Sequence, residues 1–568
     1  MLLRINQNEE IMKLYKIHNK VIVQKIKYLF LLFIFVCVIS SLGINNSYGE
    51  ILSSDRKIDW SPGMPGGIPN YPIGINVKDS PYNAEGDGIS DDTAAIQAAI
   101  DACPSGHAVY LPAGTYRTTS QLSIFCKSIV LRGAGSDSTF IKNDATSGNV
   151  IKIYSYSGSS TANVTGGYTK GSTTITVDNP SALSAEHYVT IDQDNDPAVT
   201  ENIPSYCTRA IAQIVKMTNI SGNDITINRP LYYTYNPSMN IKATALYGGS
   251  AGKVSDAGIE DLYIERTSAS DTDTINFTFA VNCWIKNIES YNAGRWHVRL
   301  RQSYACEVRD SYFHHAFTYG GDHGYGVGLF QKSTDNLIVN NIFYHLRHSM
   351  LIEYGGCGNV FAYNYSKDPV NENGESTDWL MADFAVHGGH PYMNLFEGNI
   401  GAHMNPDNAL GSNRHNTFFR NQAIRESIPS VIYHLYAIDI HQYGLYENFV
   451  GNILGLPGAT GNAWRLGCNS DGKCSSPDPR VESTLLNHGN YDYVTDSTQW
   501  DESIDDHTLP NSYYLSSKPS FFGSYSWPSI GPDLNPKVGT LPAKKRFDDM
   551  QSGTTNAIPS APINLKIR

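Results

Sequence analysis

The sequence predicts an all-β protein whose main body is a parallel β-helix, a solenoid of stacked strand-and-turn coils. A short phrase returns seven times: Asn, Cys or Leu, then apolar residues, then Asn or Asp four or five positions later. The closing residues are Asn287, Asp310, Asn341, Asn364, Asn399, Asn421 and Asn452. Spacings of 22 or 23 residues recur among them, and apolar side chains alternate without a helical period, which is typical of strand solenoids.

Coils of such a solenoid stack about 4.8 Å apart, so these amides are expected to lie one above another. A buried Asn can donate to one neighbour and accept from the other, which makes the series a scaffold feature. Asp310 interrupts it and should need another partner. Cys283 and Cys306, each four residues before a repeat position, are expected to stack, to be buried and to stay reduced. The longer spacings, 31 and 35 residues, predict projecting loops, where binding residues usually lie.

The net charge of the chain indicates which partners it can bind, and its first residues indicate where the protein is located. The net charge of −12 argues against a nucleic-acid partner. Residues 1–49 are predicted to be a signal peptide, because lysines precede the apolar run Tyr28–Ile39 and small residues precede Glu50. A membrane anchor is the alternative, but twelve apolar residues are short for a span. We therefore expect a secreted, extracellular or periplasmic protein without stable membrane insertion, in a compartment that permits disulfides.

Two cysteine pairs are predicted. Cys468 and Cys474 flank a five-residue polar turn, and Cys103 with Cys126 forms a second candidate pair. No paired CxxC motif or His-x-x-x-His cluster indicates zinc. The sequence does not predict an oligomeric state.

Residues 50–160 are predicted to hold an N-terminal cap and the first coils. Asp91 or Asp92 begins a short Ala-rich helix, after which Ala108–Arg117 reads as strand, Pro-Ala-Gly turn and strand, followed by Ile129–Gly135. This stretch, about residues 75–140, resembles the opening of pectate-lyase-like right-handed parallel β-helix proteins of the rhamnogalacturonase and epimerase type. The resemblance implies right-handed coils, a helix capping the open end, and a saccharide partner. It does not imply one reaction, since members hydrolyse, eliminate, epimerise or only bind.

Residues 161–245 alternate polar and apolar side chains between turn residues, which predicts an inserted small antiparallel β-barrel or sandwich. Within it, Asp192, Asp194 and Asp196 are candidate Ca²⁺ ligands or a solvated turn. Otherwise no cofactor is predicted. Residues 246–470 are predicted to form the main β-helix. Residues 471–568 carry no recognisable repeat and are predicted to be an extended tail that packs on the solenoid.

Ionisable side chains crowd residues 295–441, and we expect them to form the site. An approximate register places four of them at one level as an outward stripe: Arg299, Glu353, His387 and His441. Loops and turns add Asp322, His323, Arg347, His348, Asp378, Asp383 and His390. Of these, Arg299, His323, His390 and His441 are assigned to substrate binding, and the catalytic candidates are Glu353, Asp383, His387, His348, Arg347 and Asp322.

Two mechanisms fit a polysaccharide-cleaving enzyme. Hydrolysis requires two carboxyl groups beside the glycosidic oxygen, with Glu353, Asp322 and Asp383 as candidates. β-Elimination of a uronate requires a base and a cation for the substrate carboxylate, which favours the imidazoles and guanidinia. A non-catalytic glycan-binding or adhesion protein is the alternative class, and a trimeric tailspike-like depolymerase is a third.

Overall fold

The structure is a computed structural model that describes residues 51–184, 187–248, 252–371, 380–425, 435–469 and 474–553. The predicted signal peptide and Asp378 lie outside these ranges. From Leu52 onward the chain forms one compact unit. Three helices occur in the described ranges: α1 Thr93–Ala102, α2 Pro479–Thr484 and α3 Pro542–Ser552.

Three long parallel sheets, here named A, B and C, run along the solenoid. Sheet A comprises Ile73–Asn76, Ala108–Leu111, Val130–Gly133, Gly258–Glu260, Trp284–Lys286, Glu307–Arg309, Leu337–Val339, Val360–Ala362, Leu395–Glu397, Thr417–Phe419, Asn448–Val450 and Leu486–His488. Sheet B comprises Asp87–Asp91, Gly114–Thr118, Thr139–Asn143, Tyr263–Arg266, Glu289–Ala293, Tyr312–Ala316, Ile342–Tyr344, Tyr365–Lys367, Ile400–Gly401, Gln422–Ala423, Ile453–Leu454, Asn490–Asp492 and an antiparallel edge strand, Ser497–Gln499.

Sheet C comprises Leu122–Phe125, Ile151–Tyr154, Ile275–Thr278, Trp296–Arg301, Tyr325–Phe330, His348–Ile352, Phe384–Gly388, Met404–Leu410, Ile438–His441 and Trp464–Cys468. Inward side chains of all three sheets form one continuous core, including Val298, Phe313 and Phe396. The predicted parallel β-helix is confirmed.

The stacked coils are held at two turns by two ladders of buried amides. In the first, Asn336, Asn359 and Asn394 each donate from Nδ2 to the next Asn Oδ1, at 2.8, 3.0 and 2.9 Å, and Asn416 ends it by donating to Glu447 at 3.1 Å. The second runs through Asn341, Asn364, Asn399, Asn421, Asn452 and Asn490 at 2.8–3.1 Å. Each amide also donates to a carbonyl, so the predicted self-satisfying ladder is confirmed.

Two repeat positions were misaligned by one residue. Asn287 and Asp310 occupy the turn position just before the ladder, where the backbone is left-handed with φ of 53° and 55°. The ladder position next to Asp310 is Ser311, whose N–H donates to Asn341 Oδ1 at 3.0 Å. Asp310 does have other partners, as expected, because Arg309 and Asn340 both donate to it. Asn is favoured at both positions, since it tolerates left-handed backbone and serves as a ladder amide.

The predicted inserted β domain is confirmed as a closed six-stranded barrel. Its strands are Thr161–Gly166, Thr174–Val177, Tyr188–Asp192, Ala212–Ser221, Asp224–Ile227 and Lys242–Ala245. Arg209 pairs with both Asp192 and Asp194, and Lys332 of the solenoid pairs with Asp192 at 2.8 Å. The acidic run therefore binds basic side chains in this structure, which neither of its predicted roles anticipated.

The C-terminal segment differs from the prediction, because it adds one more coil. Strands Leu486–His488 and Asn490–Asp492 extend sheets A and B, and Asn490 ends the second ladder. Beyond them the tail packs on sheet A: buried Arg420 pairs with Asp533 at 2.7 Å, and Tyr513 N–H donates to Glu397 at 2.8 Å. This coil was not predicted because Asn487 stands where the two preceding coils carry Phe418 and Phe449, so the apolar part of the repeat is missing.

Of the cysteine predictions, one disulfide and the reduced pair are confirmed, and the second disulfide is wrong. Cys468 and Cys474 form a disulfide, as predicted. Cys283 and Cys306 are reduced and buried, also as predicted, but the pair Cys103–Cys126 is wrong, because both thiols are free. Cys126 instead lies against the Gly252 carbonyl.

The ladders allow a direct test in which Asn364→Ala removes one buried amide. We expect a loss of about 3 kcal/mol in the free energy of unfolding, because Asn341 donates to Asn364 Oδ1 and Asn364 Nδ2 donates to Asn399 Oδ1. Both neighbours then lose a partner, and a buried polar group left unpaired costs about 1–3 kcal/mol. Chemical denaturation followed by circular dichroism measures it. The control is Asn223→Ala at an exposed barrel turn, and equal midpoints for both variants would contradict the ladder's energetic role.

Candidate functional site

The outward face of sheet C carries two parallel columns of side chains, two residues apart along each strand, with polar groups in both. In one column Lys152, Asn276 and Arg299 share a level with Asn405, Asp439 and Arg465, and Gly328, Leu351 and Ala385 lie between these two polar groups. In the other, Tyr154 pairs with Thr278, Thr278 with Arg301, and Arg301 with Phe330. Continuing that register by one residue adds Glu353, His387, Asp407 and His441. The predicted stripe is present, but Arg299 lies in the first column and Arg301 takes its place.

Glu353 stands at the centre of the second column. It is 7% exposed, and no side chain or backbone N–H in the described ranges donates a hydrogen bond to its carboxylate. Burial raises the pKa of Glu353 to about 7, while the His387 charge opposes the shift. A buried carboxyl group without a donor is unusual in folded proteins, and a pKa near neutrality suits proton transfer.

His387, one coil further, is paired with Asp407 across 2.6 Å between Nδ1 and Oδ2. Burial disfavours the imidazolium, but the charge and hydrogen bond of Asp407 outweigh it and raise the pKa of His387 to about 9. For the same reason the pKa of Asp407 is lowered despite its burial. Glu353 and His387 therefore hold protons of different acidity on adjacent coils.

Cations occupy the coils on the other side of Glu353. Arg299 pairs with buried Asp273 at 2.9 Å. Arg301 and Lys152 have no carboxylate within ion-pair distance among the residues described. Burial and then the neighbouring Arg299 lower the pKa of Arg301, and burial and then Arg301 lower that of Lys152. Such a cluster repels itself and favours an anionic ligand.

The inserted barrel supplies a wall beside this cluster. Tyr354, next to Glu353, donates from its hydroxyl to the carbonyls of Tyr206 and Thr208 at 3.0 and 3.1 Å. This contact holds the loop after strand Tyr188–Asp192 against sheet C. Tyr206 is 65% exposed and close enough for Glu353 to raise its pKa, after burial and Cys207. The barrel is thus part of the groove.

Two predicted residues contribute at the edge of the groove. His348 lies beside His387, with ring centroids 5.9 Å apart, and its Nδ1 lies 2.8 Å from the Ala382 carbonyl. Burial, and then the charge of Arg347, lower the pKa of His348 to about 3, so it is neutral. Arg347 donates to the Tyr319 carbonyl and to Asn371, which fixes the turn before the Glu353 strand.

The remaining predicted residues lie elsewhere or are committed to partners. Asp383 faces the interior, where its carboxylate accepts from Ser349, Ser366 and the Ala402 N–H at 2.6–2.9 Å. His390 is buried at a different turn beside Tyr233 and Tyr392 of the solenoid–barrel contact. Neither reaches the groove, because each points away from the outward face of sheet C.

Asp322 and His323 lie on the loop between strands Tyr312–Ala316 and Tyr325–Phe330. Asp322 pairs with Arg295, and His323 Nε2 lies 3.0 Å from Asp271. His441 belongs to the second column, 3.3 Å from Asp439. Sequence analysis missed Asp407, Arg301, Lys152 and Tyr206. The first three share the stripe's strand periodicity and were detectable with a correct register, whereas Tyr206 becomes part of the site only through the barrel's placement.

Within the described ranges, no group of three or more His, Cys, Asp or Glu side chains has a geometry that holds a metal ion. None of the helices there is long and apolar enough to cross a membrane.

Comparison with known proteins confirms the predicted resemblance. Residues 74–229 match a family model described as "Rhamnogalacturonase A/epimerase, pectate lyase-like". Mannuronan C5-epimerase AlgE5 of Azotobacter vinelandii is 52% identical over 75 residues, which cover 12% of this chain and 7% of that protein. Alginate lyase 7 of the same organism is 48% identical over 75 residues, 12% of this chain and 8% of its own length. The chain thus spans less than a tenth of these curated relatives.

Among solved structures, the tailspike protein gp49 from Pseudomonas phage LKA1 aligns with a TM-score of 0.49 at 15% identity. The alignment covers 67% of this chain and 64% of the tailspike.

The unpaired Glu353 carboxyl predicts a pH-dependent stability difference for Glu353→Gln. The folded pKa of about 7 exceeds the ordinary 4.5, so the folded state keeps its proton while the unfolded state loses it. Stability from this group is therefore complete below pH 4.5 and is lost as pH rises through 7, by about 3 kcal/mol. Thermal unfolding at pH 4 and pH 8 should show the variant gaining stability over the wild type only at pH 8.

The control is Asp505→Asn, which removes a carboxylate at an exposed position. A Glu353→Gln variant that tracks the wild type at both pH values would contradict the buried, unpaired state of the carboxyl group.

Proposed function

We propose that this protein is a polysaccharide lyase that binds an anionic, uronate-containing polysaccharide along the outward face of sheet C and cleaves it by β-elimination. The observation that carries the proposal is the unpaired Glu353 carboxyl, with a pKa of about 7, set between unneutralised cations and the His387 imidazolium. Relatives named as a mannuronan epimerase and an alginate lyase support a uronate polymer as substrate.

Hydrolysis is less well supported, because it needs a second available carboxylate near Glu353. The other carboxylates of the groove in the described ranges are all ion-paired. They are Asp273 with Arg299, Asp322 with Arg295, Asp407 with His387 and Asp439 with Arg465. Elimination needs only one base and one acid, together with cations that stabilise the charge developing on the substrate carboxylate.

In the proposed reaction the Glu353 carboxylate takes the proton from C5 of the uronate. Arg301 and Arg299 stabilise the negative charge that then spreads onto the uronate carboxylate. The bond from C4 to the glycosidic oxygen breaks as the C4–C5 double bond forms, and the His387 imidazolium gives its proton to the departing oxygen. A proton passing from Glu353 to His387 restores the starting state, and no oxidant, reductant or other co-reactant is consumed.

This mechanism fixes the pH dependence of the reaction. Glu353 must be ionised and His387 protonated, so kcat/KM should rise through about pH 7 and fall through about pH 9. If Glu353 were instead the general acid of a hydrolase, activity would fall through pH 7. The measurement is the initial rate on alginate and on polygalacturonate across pH 5–10, followed by the ultraviolet absorbance of the unsaturated uronate.

Substitution tests the assigned roles. Glu353→Gln should lower kcat by at least about 100-fold. Arg301→Gln should lower kcat and also raise KM for a uronate polymer, because Arg301 would bind the uronate carboxylate and stabilise the charge that develops on it. Glu482→Gln on exposed helix α2 is the matched control and should retain full activity. New reducing ends without ultraviolet absorbance would assign hydrolysis, and binding without any cleavage would assign the non-catalytic class. Either result would overturn the lyase proposal.

A further inference from the structure

We infer that Phe125, Tyr154 and Tyr156 form a distal sugar-binding platform for the same anionic polysaccharide, about four coils away from Glu353. This inference rests on the proposed function for the identity of the polymer. It assigns a second binding site to the face of sheet C near the capped end of the solenoid.

The platform consists of three aromatic rings on the outer surface of the first coils. Phe125 pairs in register with Tyr154 on the next strand, and their ring centroids are 4.9 Å apart. Tyr156 packs edge-on against Phe125 at 4.8 Å and is 58% exposed. The inward neighbours Ile124 and Ile153 belong to the core, so the rings are not needed to fill it.

Charge beside the rings selects an anionic sugar. The Lys152 ammonium lies 4.4 Å from the Tyr154 ring centroid, with no carboxylate of the described ranges in ion-pair distance. Aromatic faces pack well against the C–H groups on the apolar face of a pyranose ring, since both surfaces are weakly hydrated. A uronate ring on Tyr154 or Tyr156 would bring its carboxylate towards Lys152, so the platform offers both contacts that one uronate residue needs.

Register connects the platform to the proposed reaction centre. From Tyr154 the second column passes Thr278, Arg301 and Phe330 before Glu353. Four coil spacings of about 4.8 Å give roughly 19 Å. One pyranose residue advances a polysaccharide by about the spacing of one coil, so a chain of about five residues lying along the solenoid axis would reach from the platform to Glu353.

The test compares wild type with the double variant Tyr154→Ala/Tyr156→Ala on alginate oligosaccharides of two to eight residues and on the polymer. We expect about a tenfold loss in kcat/KM on chains of six or more residues, through KM with kcat unchanged, because the platform would contribute uniform binding. Oligosaccharides of two to four residues should show no change. Ile89→Ala, an exposed apolar side chain of sheet B that is 79% exposed, is the control and should match wild type throughout.

A binding measurement separates this inference from the proposed chemistry. Affinity electrophoresis in gels containing alginate should show weaker retardation for Tyr154→Ala/Tyr156→Ala placed in the Glu353→Gln background, relative to Glu353→Gln alone. If the wild type binds alginate without cleaving it, the proposed function fails while this comparison still tests the platform. Equal retardation, equal losses on short and long chains, or no alginate binding by the wild type would overturn the platform.

Discussion

Stacking of one coil on the next is the constraint on which the whole molecule depends. A parallel coil must pair its backbone with two neighbours, and its turns leave buried polar groups that the strands cannot satisfy. The two Asn ladders meet that need, because each amide donates a hydrogen bond to the next coil and accepts one from the previous coil. The register fixed at the turns is then inherited by the three sheets, since a slip by one residue would exchange inward and outward side chains.

That inherited register creates the groove. Glu353, His387 and Asp407 are separated by 34 and 20 residues in the chain, yet they occupy consecutive coils at one level of sheet C. Long loops between the coils do not disturb this alignment, because each loop leaves and rejoins the solenoid at fixed turns. The scaffold therefore tolerates inserted segments as large as the six-stranded barrel, and the barrel in turn brings Tyr206 beside Glu353.

Electrostatics give the groove a character opposite to that of the chain. The protein carries a net charge of −12, but Lys152, Arg299 and Arg301 lie together on the outer face of sheet C. Of these three cations, Arg299 is paired with a carboxylate, that of Asp273. No group of the described residues donates a hydrogen bond to the buried Glu353 carboxylate, which destabilises its ionised form. Core packing and solubility explain neither feature, whereas both fit the proposed binding and transformation of an anionic ligand.

The sequence alone determined the architecture, because each copy of the repeat is formed by contiguous residues. Coil spacing, strand alternation and Asn at the turns are properties of contiguous residues, and they were sufficient to predict the solenoid, the buried amide ladder, the inserted β domain and the pair Cys468–Cys474. They also identified Glu353 and His387 as members of one outward stripe, since strand periodicity separates inward from outward positions.

Only the tertiary structure decided which ionisable residues share an environment. Asp383 and Glu353 are both acidic residues near sheet C strands. Asp383 accepts from Ser349, Ser366 and a backbone N–H, whereas Glu353 has no donor within the ranges that the structure describes. Arg299 and Arg301 lie two residues apart on the same face of one strand. An approximate strand register does not tell which of the two is level with Glu353. Burial, hydrogen bonding and pKa depend on neighbours contributed by distant coils and by the barrel, and those neighbours are set only when the chain has wound and packed.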